Sequence, residues 1–487
     1  MFKPSSGPFF RECLTVTFTR CTLWVGALCV AGWTSYLAGA VAGQPSQQGA
    51  NSPRRVSVVK AWIKSGKPEE KVVRALAELP SFAPKSALSL SRFGGILEED
   101  SREASGFFRT EKIGPRWWLI DPEGHRFLHV AVCSVKPGRG PTFRKAFAEH
   151  FRDESDWAQK TGQLLREHGF NGTGAWTDNR LLEAAEPRPV YTRILNFMST
   201  FGRKLGVVTQ TAGHKAYPDQ LIPVFHPDFP AHCRQVAQQL RTTKDDPYLL
   251  GVFSDNEMQH NRQALDLHLR FPPDSPERKA ALAWLKKESI ETDNITAEDR
   301  LAYVAHMFET YFAIVRQAIH EVDSNHLYLG SRLHGWDKNN PYLFAAAGRH
   351  LDVVAVNVYG TWTPAESVER WVEWGGKPVI ITEFYAKGQD SGLPNLSGAG
   401  WTVPTQRDRG RFYQHFTLSL LESRGCVGWH YFKYVDNDLL DLTTDPSNRD
   451  SNKGILSSGY KPWEEFLEAI KVLNRQVYPL VAYFDAK

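Results

Sequence analysis

From residue 127 to residue 432 the chain repeats one unit, a short apolar run bounded by turn formers followed by a longer stretch of helical periodicity. The runs fall at 127–135, 170–176, 190–197, 249–257, 327–334, 353–359, 378–384 and 427–432. Runs that are apolar on both faces suit strands covered on both sides, and a helix between successive strands returns the chain to the same end of the sheet, so the strands must be parallel. Helical patterns at 157–168, 229–241 and 302–322, an insertion at 276–289 and a closing amphipathic segment at 462–474 supply the outer layer. Eight such units predict an α/β fold, a (β/α)8 TIM barrel. Ahead of it, Gly114-Pro115 and Pro122-Glu123-Gly124 are turn signals that frame a β-hairpin leading into the first barrel strand, at the barrel floor.

Two of these runs end in acids. Leu249-Leu250-Gly251-Val252-Phe253 runs into Ser254-Asp255-Asn256-Glu257, and Val379-Ile380-Ile381-Thr382 runs into Glu383. In a parallel barrel the C-terminal strand ends carry the converging loops, so both carboxyls are placed where chemistry occurs. A single Glu after a strand is as readily the first turn of a helix, where the dipole favours it. Paired on strands four and seven, they are the minimum equipment for cleaving an acetal, one carboxyl giving a proton and the other attacking.

Composition narrows the partners. A net charge of +4 from 58 basic and 54 acidic residues offers no electrostatic grip on nucleic acid or on a membrane surface. The 15 Trp and 16 Tyr are a generous supply of flat amphipathic rings, useful for stacking on sugars as well as for packing. Lys3, Arg11 and Arg20, an apolar run from Leu23 to Trp33 and Ala40-Val41-Ala42 before Gly43 have the order of a secretory signal, with an uncleaved anchor as the alternative. The expected organisation is therefore a signal peptide over 1–42, a linker and N-terminal extension over 43–105 with one helix near 69–79, and the barrel over 106–487. The mature protein is expected to be secreted or periplasmic, with no membrane partner. Cys133, Cys233 and Cys426 lack metal-like spacing and read as buried small hydrophobes. No P-loop, glycine-rich dinucleotide fingerprint or HExxH occurs, and His125 and His129 do not form a His-x-His, so no cofactor or metal is expected.

Strand four ending in Asn-Glu and strand seven ending in Glu resemble the clan of retaining glycosidases built on this barrel. The segments RWWLIDPEGH (116–125), GVFSDNEM (251–258), NHLYLGSR (325–332) and the stretch from Gly388 onward are similar to β-agarases, particularly glycoside hydrolase family 50. The resemblance covers the chain from about Gly106 onward. It implies Glu257 as acid/base, Asn256 as the holder of the sugar 2-hydroxyl and Glu383 as nucleophile, acting on a polysaccharide such as agarose or a related galactan. Such a pair should stand about 5–5.5 Å apart.

Other strand ends supply candidate substrate contacts. Tyr359 closes strand six and could reach the nucleophile, Trp429 on strand eight could floor the sugar pocket, and Trp176 with Asp178 lies past strand two. Arg332 and His334 fall at the end of strand five, Asp436 and Asp438 just past strand eight, and 387–400 could be a mobile lid. Each has a plainer reading, as a rim aromatic, an ion pair or a turn residue. Another glycosidase of the clan (β-galactosidase, mannanase or glucanase) and a non-catalytic carbohydrate-binding barrel remain as alternatives.

Overall fold

A computed structural model describes residues 53–59, 66–98, 101–211, 214–447 and 449–487, and Pro53–Lys487 forms one compact unit. The expected signal peptide and the first part of the expected linker lie outside the described residues. All eight apolar runs form strands: β1 (His129–Val132), β2 (Gly172–Thr173), β3 (Val190–Ile194), β4 (Leu249–Phe253), β5 (Leu327–Gly330), β6 (Val354–Asn357), β7 (Val379–Phe384) and β8 (Cys426–Tyr431). They make one parallel sheet in the order β5-β4-β3-β2-β1-β8-β7-β6. The seam between β5 and β6 is bridged just past β5, where the Leu333 amide donates to Ala355 O at 2.8 Å and the Asn357 amide donates to Leu333 O at 2.9 Å. The sheet is thus a nearly closed barrel, and every residue of β1, β4, β7 and β8 is buried, as strands covered on both faces require.

The outer helices start where their sequences dictate. Ala297–His320 opens on a capping box between Thr296 and Asp299, Gln406–Glu422 on Thr405, and Pro276–Glu288 on Ser275 with Pro at its first position. After Glu464–Asn474 a further helix, Val477–Asp485, packs its apolar face inward. The closing segment expected from the sequence ends at 474 and does not include this helix, which contains Pro479. That proline lies in the first turn, where a missing N–H costs nothing.

The helix expected near 69–79 does not form. Glu69–Val72 is a strand paired antiparallel with Arg55–Val58, and only Leu76–Glu78 turns helically. Val72 and Val73 are β-branched and a partner strand is available, which outweighs the helical spacing of the charged residues. Val56, Val58, Val73 and Leu76 are buried in the main core.

An antiparallel sheet of Arg109–Ile113, Arg116–Ile120 and Arg126–Phe127 turns at Gly114, whose φ of +58° is the left-handed conformation that glycine tolerates. This region touches residues that directly precede barrel strands. The Trp117 amide donates to Arg424 O, Phe107 packs edge-on against His326, and Phe93 packs against Tyr248. These contacts join the small sheet and the residues before it to the residues that lead into three barrel strands.

Arg116 anchors this end to the last helix. Its guanidinium is wholly buried, donates to both oxygens of Asp485 at 2.8–3.1 Å and to Leu421 O at 2.8 Å, and shares Asp485 with Arg424. Asp485→Ala strands the buried Arg116, so a loss of about 2 kcal/mol is expected, reduced from the full cost of a broken buried pair because Asp485 is partly exposed. Urea denaturation of the two proteins checks it, and an unchanged midpoint would show that the pair contributes nothing.

Candidate active site

Five strand ends share an unusual backbone. Ser134, Trp176, Asn196, Glu257 and Arg332, just past β1, β2, β3, β4 and β5, have φ values of 57°, 67°, 62°, 45° and 54°. The left-handed conformation costs a side-chain-bearing residue about 1–3 kcal/mol, so neighbouring loops must hold it. They do: the Ser134 amide donates to Ala175 O, the Phe197 amide to Ser254 O and the Glu257 amide to Ser331 O.

Glu383 lies near the end of β7 and is 5% exposed. The Arg332 guanidinium and the Trp176 indole N–H (3.3 Å) both donate to its Oε1, and the Tyr359 hydroxyl donates to its Oε2. Arg332, wholly buried, also donates to Asn256 Oδ1 at 2.8 Å and to Thr382 O at 3.1 Å. Burial works against its charge, but the facing carboxylates, Glu383 foremost, more than offset this and hold its pKa above the usual value. Burial, with the Glu383 charge beside it, pushes the Tyr359 hydroxyl well up, so it stays a donor.

Glu257 sits differently. The Asn357 amide donates to its Oε1 at 2.7 Å, and His334 Nδ1 lies 3.2 Å from the same oxygen. The amide is oriented from behind, since the Thr382 hydroxyl donates to Asn357 Oδ1 at 2.7 Å. Lys338 is nearby, its ammonium 3.4 Å from Asn357 O and its pKa lowered by burial against the opposing pull of Glu257 and Asp337. Glu257 borders an open cleft of about 680 Å³ that Met258, His260, Arg262, His334 and Trp336 also line. The segment carrying it is pinned by Asp255, a buried carboxylate that accepts from the amides of Met198 (2.7 Å) and Ser199 (3.0 Å) and from the Tyr311 hydroxyl (2.7 Å).

The structure thus brings Glu257, Asn256, Glu383, Tyr359, Trp176, Arg332 and His334 into one hydrogen-bonded cluster. Asp178 is apart, partly exposed just before the short helix Asn179–Leu182, 4.0 Å from Arg180. Trp429 requires correction. It is completely buried and its indole N–H donates to Tyr413 of the outer helix Gln406–Glu422, so it cannot floor a pocket. Side chains alternate along a strand, and on β8 it is His430 that points inward, to His129 and Phe253. Asp436 is also corrected. It is buried and accepts from the amides of Lys453 and Gly454, from Asn452 Nδ2 and from the Trp463 indole, a set that ties the loop together and leaves nothing for a sugar. Asp438 likewise caps Thr142. The 387–400 segment is tied rather than loose, because the Lys387 ammonium donates to the carbonyls of Asn395, Ser397 and Gly398, and Asp450 accepts from the amides of Leu396 and Ser397.

Sequence reasoning missed Asn357, Lys338, His260 and Trp336. Asn357 could have been found, as a polar residue that closes an otherwise apolar strand; the other three lie on loops whose course the sequence does not reveal. Among the described residues no group of three or more His, Cys, Asp or Glu is arranged to hold a metal, and no helix is long and apolar enough to cross a membrane. Cys133, Cys233 and Cys426 are free and buried.

The architecture is a nearly closed α/β barrel with two glutamates, an arginine and a tyrosine gathered at the C-terminal ends of its strands. Comparison with known proteins narrows this. No family model matches. The chain is 25% identical over 515 residues to β-agarase B of Vibrio sp. (strain JT0107), covering 85% of this chain and 53% of that protein. Among solved structures, BpGH50 superposes with a TM-score of 0.78 at 29% identity, over 89% of this chain and 96% of that one. The fold also matches an agarase, AgWH50C, with a TM-score of 0.65 at 23% identity, over 82% and 67% of the two chains. The chain is β-agarase-like and resembles glycoside hydrolase family 50. It spans about half the length of the curated β-agarase B.

Asp255 yields a pH prediction. Burial pushes its carboxyl up to about 6, above the value of about 4 expected in the unfolded chain. Between those values the folded protein keeps a proton that the unfolded chain releases, so this contribution to stability is full below about pH 4 and lost as pH rises through about 6. Asp255→Asn removes the titration. The Tm of the native protein minus that of the variant should therefore fall between about pH 4 and about pH 6, and a difference that rises or stays flat across that range rejects the assignment.

Proposed function

We propose that the chain is a retaining glycoside hydrolase that cleaves β-glycosidic bonds of agarose or a related galactan. The observation that carries this is the convergence of donors on both oxygens of Glu383, while Glu257, tied to it through Arg332 and Asn256, borders an open cleft. In the first step Glu383 attacks the anomeric carbon as Glu257 gives its proton to the departing glycosidic oxygen. In the second, water attacks the glycosyl-enzyme and its proton passes to Glu257 while Glu383 is released. Tyr359 and Arg332 hold the attacking carboxylate in line, and Asn256, fixed by Arg332, is offered to the hydroxyl next to the anomeric carbon. The likeness to β-agarases supplies the substrate class.

The rest of the organisation follows the same reading. The hairpin around Gly114 closes the barrel floor, 1–42 directs export, and 43–105 joins the leader to the barrel. The enzyme therefore works outside the cytoplasm.

Retention makes the two glutamates fail differently. Glu383→Gln should lower kcat by at least about 10⁴-fold, because no glycosyl-enzyme forms. Glu257→Ala should retain activity on substrates with a good leaving group, and azide should accelerate it and give a β-glycosyl azide. An inverted product by NMR would reject the mechanism. Cleavage of mannan or glucan with agarose, porphyran and other galactans untouched would reject the substrate class.

A further inference from the structure

The cleft touches one member of the glutamate pair. Glu257 and His334 line its 680 Å³, while Glu383 does not. A general acid must lie beside the oxygen that departs, whereas the nucleophile lies under the ring that stays. The space next to Glu257 is therefore on the leaving side of the scissile bond. Its lining suits a sugar. Trp336 is half-buried, takes no part in the main hydrophobic core, and has the Arg262 guanidinium 4.5 Å above its ring and His260 packed beside it at 5.6 Å. His260 is itself fixed, its Nδ1 3.3 Å from Asp337 Oδ1 and its ring edge-on to Phe308. Trp336 thus brings an aromatic ring, with Arg262 over one face, into a cleft that Asp219 also lines, an apolar surface among groups that hydrogen-bond to hydroxyls.

We propose that this cleft binds the sugars on the leaving side of the bond, with Trp336 as the stacking platform for a galactan unit and Arg262 as a contact to its hydroxyls. The inference rests on reading Glu257 as the acid. It makes the enzyme dependent on chain that continues past the bond it cuts.

The test compares two substrates with the same retained sugars. One is an agaro-oligosaccharide that spans the bond; the other is the β-glycosyl fluoride of the retained sugars, with fluorine on the same anomeric carbon, so that its leaving group is a single atom. Trp336→Ala should lower kcat/KM on the oligosaccharide by at least about tenfold, mainly through KM, and leave the fluoride within about twofold. Trp336→Phe should lose less, and Arg262→Ser should show the same selective loss at smaller size. Unchanged oligosaccharide kinetics in Trp336→Ala, or equal losses on both substrates in Trp336→Phe and Arg262→Ser, overturn the proposal. If the unaltered enzyme cleaves neither substrate, the reading of Glu257 and Glu383 fails instead, and this inference falls with it.

Discussion

The guanidinium of Arg332 sets the terms for everything at the mouth of the barrel. An unpaired buried cation costs several kcal/mol, so its partners are fixed by necessity. It meets that need with Glu383 at the end of β7, the Thr382 carbonyl beside it and the Asn256 amide oxygen past β4. One planar group thereby ties three strand ends, and its fork geometry sets distance and angle together. Lysine would supply the charge without the fork.

The strand ends bear the cost of this arrangement. Arg332 and Glu257 both adopt left-handed backbones, and the Glu257 amide is held by the carbonyl of Ser331, the residue before Arg332. Asp255, side by side with Asn256 and Glu257, turns the other way and locks the segment to amides in the first turn of the helix Phe197–Lys204 and to Tyr311 of the long helix Ala297–His320. Asn357 extends the scheme to β6. Its oxygen accepts from Thr382 and its nitrogen donates to Glu257, so a residue of β7 decides which end of the amide Glu257 meets. Packing of the outer helices is thus coupled to carboxyl position through a few buried hydrogen bonds, each too short to leave much freedom.

What was legible in the sequence was whatever obeys a period. The eight strands were readable because runs buried on both faces have few alternatives, and Glu257 and Glu383 because they close two of those runs. Trp429 shows where this stops. A fully apolar strand carries no alternation to say which residues face the barrel axis, and the inward choice fell on His430 instead. Asp436 failed for a related reason: a loop carboxylate can satisfy backbone amides or face a ligand, and only the fold of 452–454 around it decides. Trp336 and His260 sit on loops after β5 and β4 that are distant in sequence and meet only in three dimensions.

The layer beneath the acids explains why the Arg332 charge is answered by carboxylates. His129 on β1 and His430 on β8 fill the barrel interior there, and burial lowers both, His129 to about 4 and His430 well below its usual value, with the nearby Arg332 charge adding to the second. Their contacts agree with a neutral pair: His430 Nε2 lies 2.9 Å from His129 Nδ1, and His129 Nε2 lies 3.3 Å from the Val190 carbonyl, so each ring donates once in a chain that ends on the backbone. A protonated histidine in this place would repel Arg332. Because the pair stays neutral, the cation above it is balanced by Glu383, and the strand that supplies His430 inward is free to send Trp429 outward to Tyr413, where it packs the helix that closes the ring. The parity of β8 therefore serves the charge balance of the site and the packing of the shell in one step.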